Sequence, residues 1–211
     1  MSKGGEYLIQ PIKVRNFYTL YVKHAIDWLV ALIAAIILTP LFVIIALLIK
    51  IDSTGPVFFR QERLGQGGRI FIIYKFRSMV IHQVKNNDYK LYENDPRITF
   101  IGKFIRRTSI DELPQVINIL KREMSFIGPR PPLPYFPKHF KEYTDFEKQR
   151  FRVKPGISGL AQIRCREIHD WDINIPIDVE YVNNCSFIYD LKLFLKSFIV
   201  FFKTDNIYRK D

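Results

Sequence analysis

From Trp28 to Ile51 the chain carries no charged residue before Lys50. At ~1.5 Å per residue, a helix of that length reaches across a hydrocarbon core of about 30 Å. This pattern makes the chain a membrane protein. The run is too long for the apolar region of a cleaved signal peptide, lies behind a polar N-terminal stretch, and is followed by bulky or charged residues. Thr39-Pro40 falls in its middle, where the proline removes one backbone hydrogen bond and crowds the preceding turn, so the run should bend there. That leaves a kinked spanning helix, or a helix-break-helix that dips into one leaflet and returns. Lys13, Arg15 and Lys23 precede the run, and Lys50, Arg60, Arg63 and Arg69 follow it. Neither flank is clearly the positive one, a pattern met best if both ends face the cytoplasm.

A formal net charge of +11 and an isoelectric point near 9.6 call for an anionic partner. Nucleic acid would require zinc-ligand spacing, an aromatic RNA-binding signature or a helix-turn-helix, and none is present. Anionic lipid head groups and a nucleotide diphosphate account for the charge with fewer assumptions. Cys165 and Cys185 are too few for a disulfide scaffold and lack metal-ligand spacing, which suits reduced thiols in the cytoplasm.

Outside the apolar run, the 211 residues suffice for one compact domain. The expected fold is α+β: a mainly helical single domain with a small β-hairpin, an N-terminal re-entrant membrane segment and interfacial amphipathic helices. The expected divisions are a polar tail at 1–15, the membrane segment at 16–51, a catalytic domain at 52–205 and a short tail at 206–211. Val57 to Arg60 and Arg69 to Phe76 are β-prone around Gly65-Gln-Gly-Gly, which reads as the hairpin turn; these glycines do not have the spacing of a nucleotide-binding loop. Strand alternation would put Lys75 and Arg77 on one face, either solvated or in contact with an anion. Residues 82–96 are polar and turn-rich. Ile98 to Arg107 reads as a basic amphipathic helix whose Lys103, Arg106 and Arg107 suit lipid head groups or substrate. Leu133 to Phe140 is broken by prolines, and Asp190 to Lys203 reads as a helix buried in the domain or partly in the membrane.

The chemistry concentrates in Ser109-Ile-Asp-Glu-Leu-Pro-Gln and, just downstream, Met124-Ser-Phe-Ile-Gly-Pro-Arg-Pro. Asp111 and Glu112 form a carboxylate pair that can hold a divalent cation or supply a nucleophile. Arg130, set between Pro129 and Pro131, presents a planar fork of donors suited to phosphate oxygens. Ser109-x-x-Glu112 also fits a capping box, but Pro114 favours a helix start nearer Asp111. At a helix entrance, capping and phosphate chemistry are compatible, because the free amides there attract anions.

These segments, taken in order, resemble the monotopic phosphoglycosyl transferases, bacterial sugar transferases, in their small catalytic-domain-only form. The resemblance runs from about Phe17 to Lys203. It rests on the apolar run with Thr39-Pro40, Tyr74-Lys-Phe-Arg-Ser-Met, Asp95-Pro-Arg-Ile-Thr, Ser109 to Gln115, Met124 to Pro131 and Pro155 to Gln162. It implies that Asp111 attacks the β-phosphorus of a UDP-sugar, expelling UMP, and that a polyprenyl phosphate such as undecaprenyl phosphate then takes the phosphosugar. It also implies Mg2+ at Asp111 and Glu112, a membrane helix that turns back at Thr39-Pro40, and a catalytic domain on the cytoplasmic face of the bacterial inner membrane. Substrate contacts are expected from Lys75, Arg77, Arg106, Pro129, Arg130, Pro131, Gln162 and Arg166. Oligomeric state is left open, a homodimer among the options. Departures are Arg122-Glu123 in place of the family's more usual Gly-Asp, Thr39 in place of serine, and Arg164-Cys165 in place of Asn-Gly before Arg166. The last of these keeps donor preference from being borrowed. Two rival classes are a non-catalytic protein of the anionic membrane surface, which gives no reason for Asp-Glu before Gly-Pro-Arg-Pro, and a membrane-tethered nucleic-acid binder, which predicts strongly salt-dependent affinity for DNA or RNA.

Overall fold

The structure, a computed structural model, describes residues 17–80, 95–165 and 170–202. The tail with Lys13 and Arg15, most of the polar stretch 82–96, Arg166 and residues 203–211 lie outside them.

The apolar run folds as α1 (Lys23–Asp52), preceded by one wider helical turn at Tyr18–Val22. The helix continues through Pro40 as a single element, and the Thr39 hydroxyl donates to the Ala35 carbonyl at 2.7 Å. A proline deletes only one rung of the ladder, and a helix of 30 residues has enough rungs on either side to carry on. At ~1.5 Å per residue α1 is about 45 Å long, and the domain underlies it from end to end. Near its start Lys23 Nζ meets Asp190 Oδ2 at 2.6 Å, and two turns on Ala31 is fully buried. Towards its end Ile45 and Ile49 pack on Phe76 and Ile105, and Asp52 accepts the Ile101 amide at 3.0 Å. Leu29, Ile33, Ile36, Ile37, Ile44 and Leu47 are exposed, which leaves an apolar stripe for lipid. Both ends of α1 rest on one domain, which fits a re-entrant or interfacial segment, but the helix-break-helix expected at Thr39-Pro40 is replaced by one continuous helical element.

Strands β1 (Phe58–Leu64) and β2 (Ile70–Phe76) form the expected antiparallel hairpin, in register from Phe58 opposite Phe76 to Leu64 opposite Ile70. Gly67 and Gly68 turn it at φ 67° and 76°, the left-handed region where a side chain is strained. Alternation puts Phe71, Ile73 and Lys75 on one face. The first two pack with Ala31 of α1 and with Val116 and Ile119 of α3 (Val116–Leu120), so Lys75 emerges at the edge of that core. Phe76, of opposite parity, is buried under α1 and meets Phe42 edge-on, ring centroids 5.3 Å apart.

Helix α2 (Phe100–Arg107) is capped by Thr99, whose hydroxyl accepts the Gly102 amide at 2.9 Å. Phe100 and Phe104 are exposed while Ile105 is buried, as the amphipathic pattern requires. Beyond α3, β3 (Ser125–Ile127) pairs in parallel with β4 (Gly156–Ser158), and α4 (Asp145–Lys148) and α5 (Leu160–Arg164) are short. Two longer helices close the domain, α6 (Trp171–Asn184) and α7 (Phe187–Phe202). Leu193 and Ser197 face inward from α7, whereas Ile188, Leu191, Leu195 and Phe198 are exposed. Helix α7 is therefore buried on one side and open on the other.

Candidate active site

Helix α2 ends at Arg107, and the chain reverses at Ser109, whose φ of 55° is left-handed. A tight helical turn, Ile110–Gln115, follows, with Asp111 and Glu112 in its first turn and Pro114 inside it. The capping-box reading fails, since the Ser109 side chain makes no cap bond; its carbonyl instead accepts the Glu112 amide at 3.1 Å. The turn starts at Ile110 with Ser109 as the residue before it, one position ahead of the start at Asp111 that Pro114 indicates.

Lys75, projecting from the end of β2, places Nζ 2.6 Å from Glu112 Oε1. Gln115, almost fully buried, also hydrogen-bonds Glu112. Arg106, in the last turn of α2, lies within electrostatic reach of Asp111, and Arg130 within reach of Glu112. Burial raises the Asp111 carboxyl to about 6, helped by the charge on Glu112 and opposed by Lys75 and Arg106. Burial pushes Glu112 the same way, but Lys75 and Arg130, with the hydrogen bonds from Lys75 and Gln115, outweigh it and hold Glu112 at about 2. Neighbouring carboxylates thus have separated affinities for a proton, the condition under which two acids take different roles.

A further cation joins these. Arg63 of β1 donates through Nη1 to the Pro131 carbonyl at 3.0 Å and through Nη2 to Gln61 Oε1 at 2.7 Å. Its guanidinium is brought down to about 10 by burial and by the Arg130 charge, with Glu112 acting in the opposite sense. Lys75, Arg106, Arg130 and Arg63 therefore each act electrostatically on one or both of the two carboxylates, four cations against two acids. Such a field suits an anion carrying several phosphate oxygens.

The expected residues divide into groups. Asp111, Glu112, Lys75, Arg106 and Arg130 share one site, and Pro129 and Pro131 are buried on either side of the exposed Arg130. Arg77 stands apart: β2 ends at Phe76, so alternation does not extend to it. The Arg77 side chain is buried and donates to the carbonyls of Ile49, Ser53 and Thr54 and to Ser53 Oγ, closing the C-terminal end of α1. Those orphan carbonyls need a donor, which binds Arg77 into the helix end. Gln162 lies against the β3–β4 pair, donating to the Ile157 carbonyl at 3.4 Å. Thr39 and Pro40 belong to α1, and Arg166 is outside the described residues. Arg63 and Gln115 escaped the sequence reading. For Arg63 the available signal was register, since it pairs with the core residue Phe71; Gln115 carried none. Among the described residues no three His, Cys, Asp or Glu side chains gather as a metal cluster, so the acidic pair stands alone.

Residues 18–204 match the family described as Bacterial sugar transferase, and the chain belongs to it: a monotopic phosphoglycosyl transferase family protein, with α1 as its inner-membrane element. Among curated proteins it is 41% identical over 180 residues to a UDP-N-acetylgalactosamine-undecaprenyl-phosphate N-acetylgalactosaminephosphotransferase of Aeromonas hydrophila, covering 84% of this chain and 43% of that protein. It is 40% identical over 185 residues to a UDP-glucose:undecaprenyl-phosphate glucose-1-phosphate transferase of Xanthomonas campestris pv. campestris, covering 85% and 38%. A protein of the same description from Caulobacter vibrioides is 34% identical over 195 residues, covering 88% and 72%. The chain thus spans less than half the length of the first two.

Proposed function

We propose that this chain transfers a phosphosugar from a UDP-sugar to a membrane polyprenyl phosphate, undecaprenyl phosphate, at the cytoplasmic face of the bacterial inner membrane, starting the assembly of a glycoconjugate. The observation that carries this reading is the carboxylate pair, Asp111 and Glu112, set among Lys75, Arg106, Arg130 and Arg63 in a domain that carries the apolar helix α1.

In the first step an Asp111 carboxylate oxygen attacks the β-phosphorus. The bond from that phosphorus to the oxygen bridging it to the α-phosphate breaks, and UMP leaves with that oxygen. In the second step an oxygen of the polyprenyl phosphate attacks the same phosphorus, the aspartyl bond breaks, and the Asp111 carboxylate is regenerated with a polyprenyl diphosphate-linked sugar as product. Phosphoryl transfer asks mostly for in-line placement and compensation of charge on the transferring oxygens. Arg130, Arg106 and Arg63 supply donors for those oxygens, and Lys75 keeps Glu112 ionised and in place. The near-neutral affinity of Asp111 for a proton makes its carboxylate a better nucleophile than an ordinary aspartate, and leaves it ionised at cytoplasmic pH.

Mg2+ fits this donor set. Two hard oxygen donors with mutual repulsion are the protein share such an ion takes beside phosphates and water. Asp111 and Glu112 would hold it, and when bound it offsets diphosphate charge.

The test is UMP release from a panel of UDP-sugars by detergent-solubilised protein with Mg2+ and undecaprenyl phosphate, beside Asp111→Asn. Turnover that depends on the lipid and falls below about one part in a thousand in the variant supports the reading. Equal release by both folded proteins rejects Asp111 as the nucleophile, and no release from any donor rejects the reaction for those donors.

A further inference from the structure

Each carbonyl from Pro129 to Pro132 accepts a hydrogen bond, two of them from the end of β1 and two from elsewhere in the fold. Pro129 O accepts the Gly156 amide at 3.0 Å and Pro132 O the Leu64 amide at 2.9 Å. Pro131 O accepts Arg63 Nη1 at 3.0 Å, and Arg130 O accepts Arg150 Nη2 at 2.7 Å. The peptide plane joining Arg130 to Pro131 has no N–H, so its carbonyl is its only hydrogen-bonding group. With the Pro129 oxygen held on one side and this oxygen on the other, both peptide planes flanking Arg130 are fixed, which restricts its φ and ψ and sets the direction in which its side chain leaves the backbone.

Arg150 holds the Arg130 oxygen from the interior. Its side chain is 1% exposed, and the same Nη2 lies 2.6 Å from Oδ2 of the equally buried Asp178 on α6. The guanidinium lies over the rings of Phe151 and Trp171, 5.3 and 5.1 Å from their centroids. A buried ion pair adds little net stability over apolar residues of the same volume, because desolvation cancels most of the attraction. Stability alone therefore gives no reason for charge at these two positions, whereas the bond to the loop carbonyl does.

We infer that Arg150, anchored by Asp178, is a positioning residue for donor binding: it fixes the Arg130 peptide so that the Arg130 guanidinium faces the donor's diphosphate. This rests on the phosphosugar-transfer reading. It predicts a defect in donor affinity that survives restoration of stability.

The decisive protein is the full chain carrying Arg150→Met with Asp178→Leu, which leaves no buried charge unpaired. It is expected to unfold within a few degrees of wild type, with donor KM raised about tenfold, kcat within about threefold, and acceptor KM unchanged. A folded double variant with wild-type donor KM overturns the inference, as does an equal rise in both KM values. Should the double variant not fold, Asp178→Asn alone is expected to raise donor KM in the same sense, and a wild-type value there overturns it too. Hydrogen exchange over residues 126–133 separates this failure from that of the transfer reading. If wild-type protein releases no UMP from any UDP-sugar, faster local exchange in the variant still supports the positioning role, and unchanged exchange rejects it.

Discussion

Asp111 and Glu112 are chain neighbours of the same chemical kind, yet burial and the Glu112 charge push Asp111 up while Lys75 and Arg130 hold Glu112 down. The difference comes from partners, because both are half-buried while Lys75 bonds only Glu112. Attack by Asp111 requires its carboxylate, so kcat/KM should rise with pH through about 6 and level off above it. Lys75→Met removes a charge that lowers both groups, and should move that acid limb upward by about one unit, read from the pH profile of UMP release. Stability has two opposite contributions. Glu112 stabilises fully above its ordinary 4.5, and this is lost as pH falls towards 2. Asp111 favours folding most below its ordinary 3.8, and this is lost as pH rises through about 6. The acidic pair and Arg130 were legible because short local patterns carry them: two adjacent carboxylates and an arginine between prolines. Arg63 was not, since nothing local sets it apart from Arg60 or Arg69; its place depends on a carbonyl 68 residues away.

At the level of elements, the hairpin and α2 could be read because turn glycines and apolar spacing are local signals. Helix α6 left no such trace: Pro176 lies inside it, and Asp178 faces the interior only because Arg150 meets it there. Arg77 shows how a strand pattern misleads one residue past the strand's end. Its guanidinium secures the end of α1, so Arg77→Met should destabilise the protein by about 3 kcal/mol through the carbonyls left unpaired. Thermal unfolding in detergent should show the loss, with donor KM of the folded fraction unchanged. Arg122 sits at φ 62°, a conformation that favours the glycine more usual in the family, and nothing in the structure explains the arginine there.

For the molecule as a whole, the question is how a helix long enough to cross a bilayer stays on one side of it. The apolar run was plain in the sequence, but the contacts that hold its two ends to one domain are long-range and could not be read there. Single cysteines introduced as Phe17→Cys or Thr54→Cys, with Cys165 and Cys185 replaced, should both react with an impermeant thiol reagent from the same face of sealed vesicles. Labelling from opposite faces would mean a spanning helix. Asp190→Asn should remove the closer of Lys23's two buried carboxylate partners, leaving Asp27 at 3.9 Å, and destabilise the fold by about 3 kcal/mol, measured by denaturation in detergent. The run from Pro129 to Pro132 has a different consequence. Three of its residues have no N–H, and all four carbonyls already accept a bond from the scaffold. To an incoming molecule this stretch therefore offers donors, at Arg130, and hardly any acceptors. It works as a filter of polarity, welcoming oxygen-rich anions and giving little to an ammonium or hydroxyl group in search of a carbonyl.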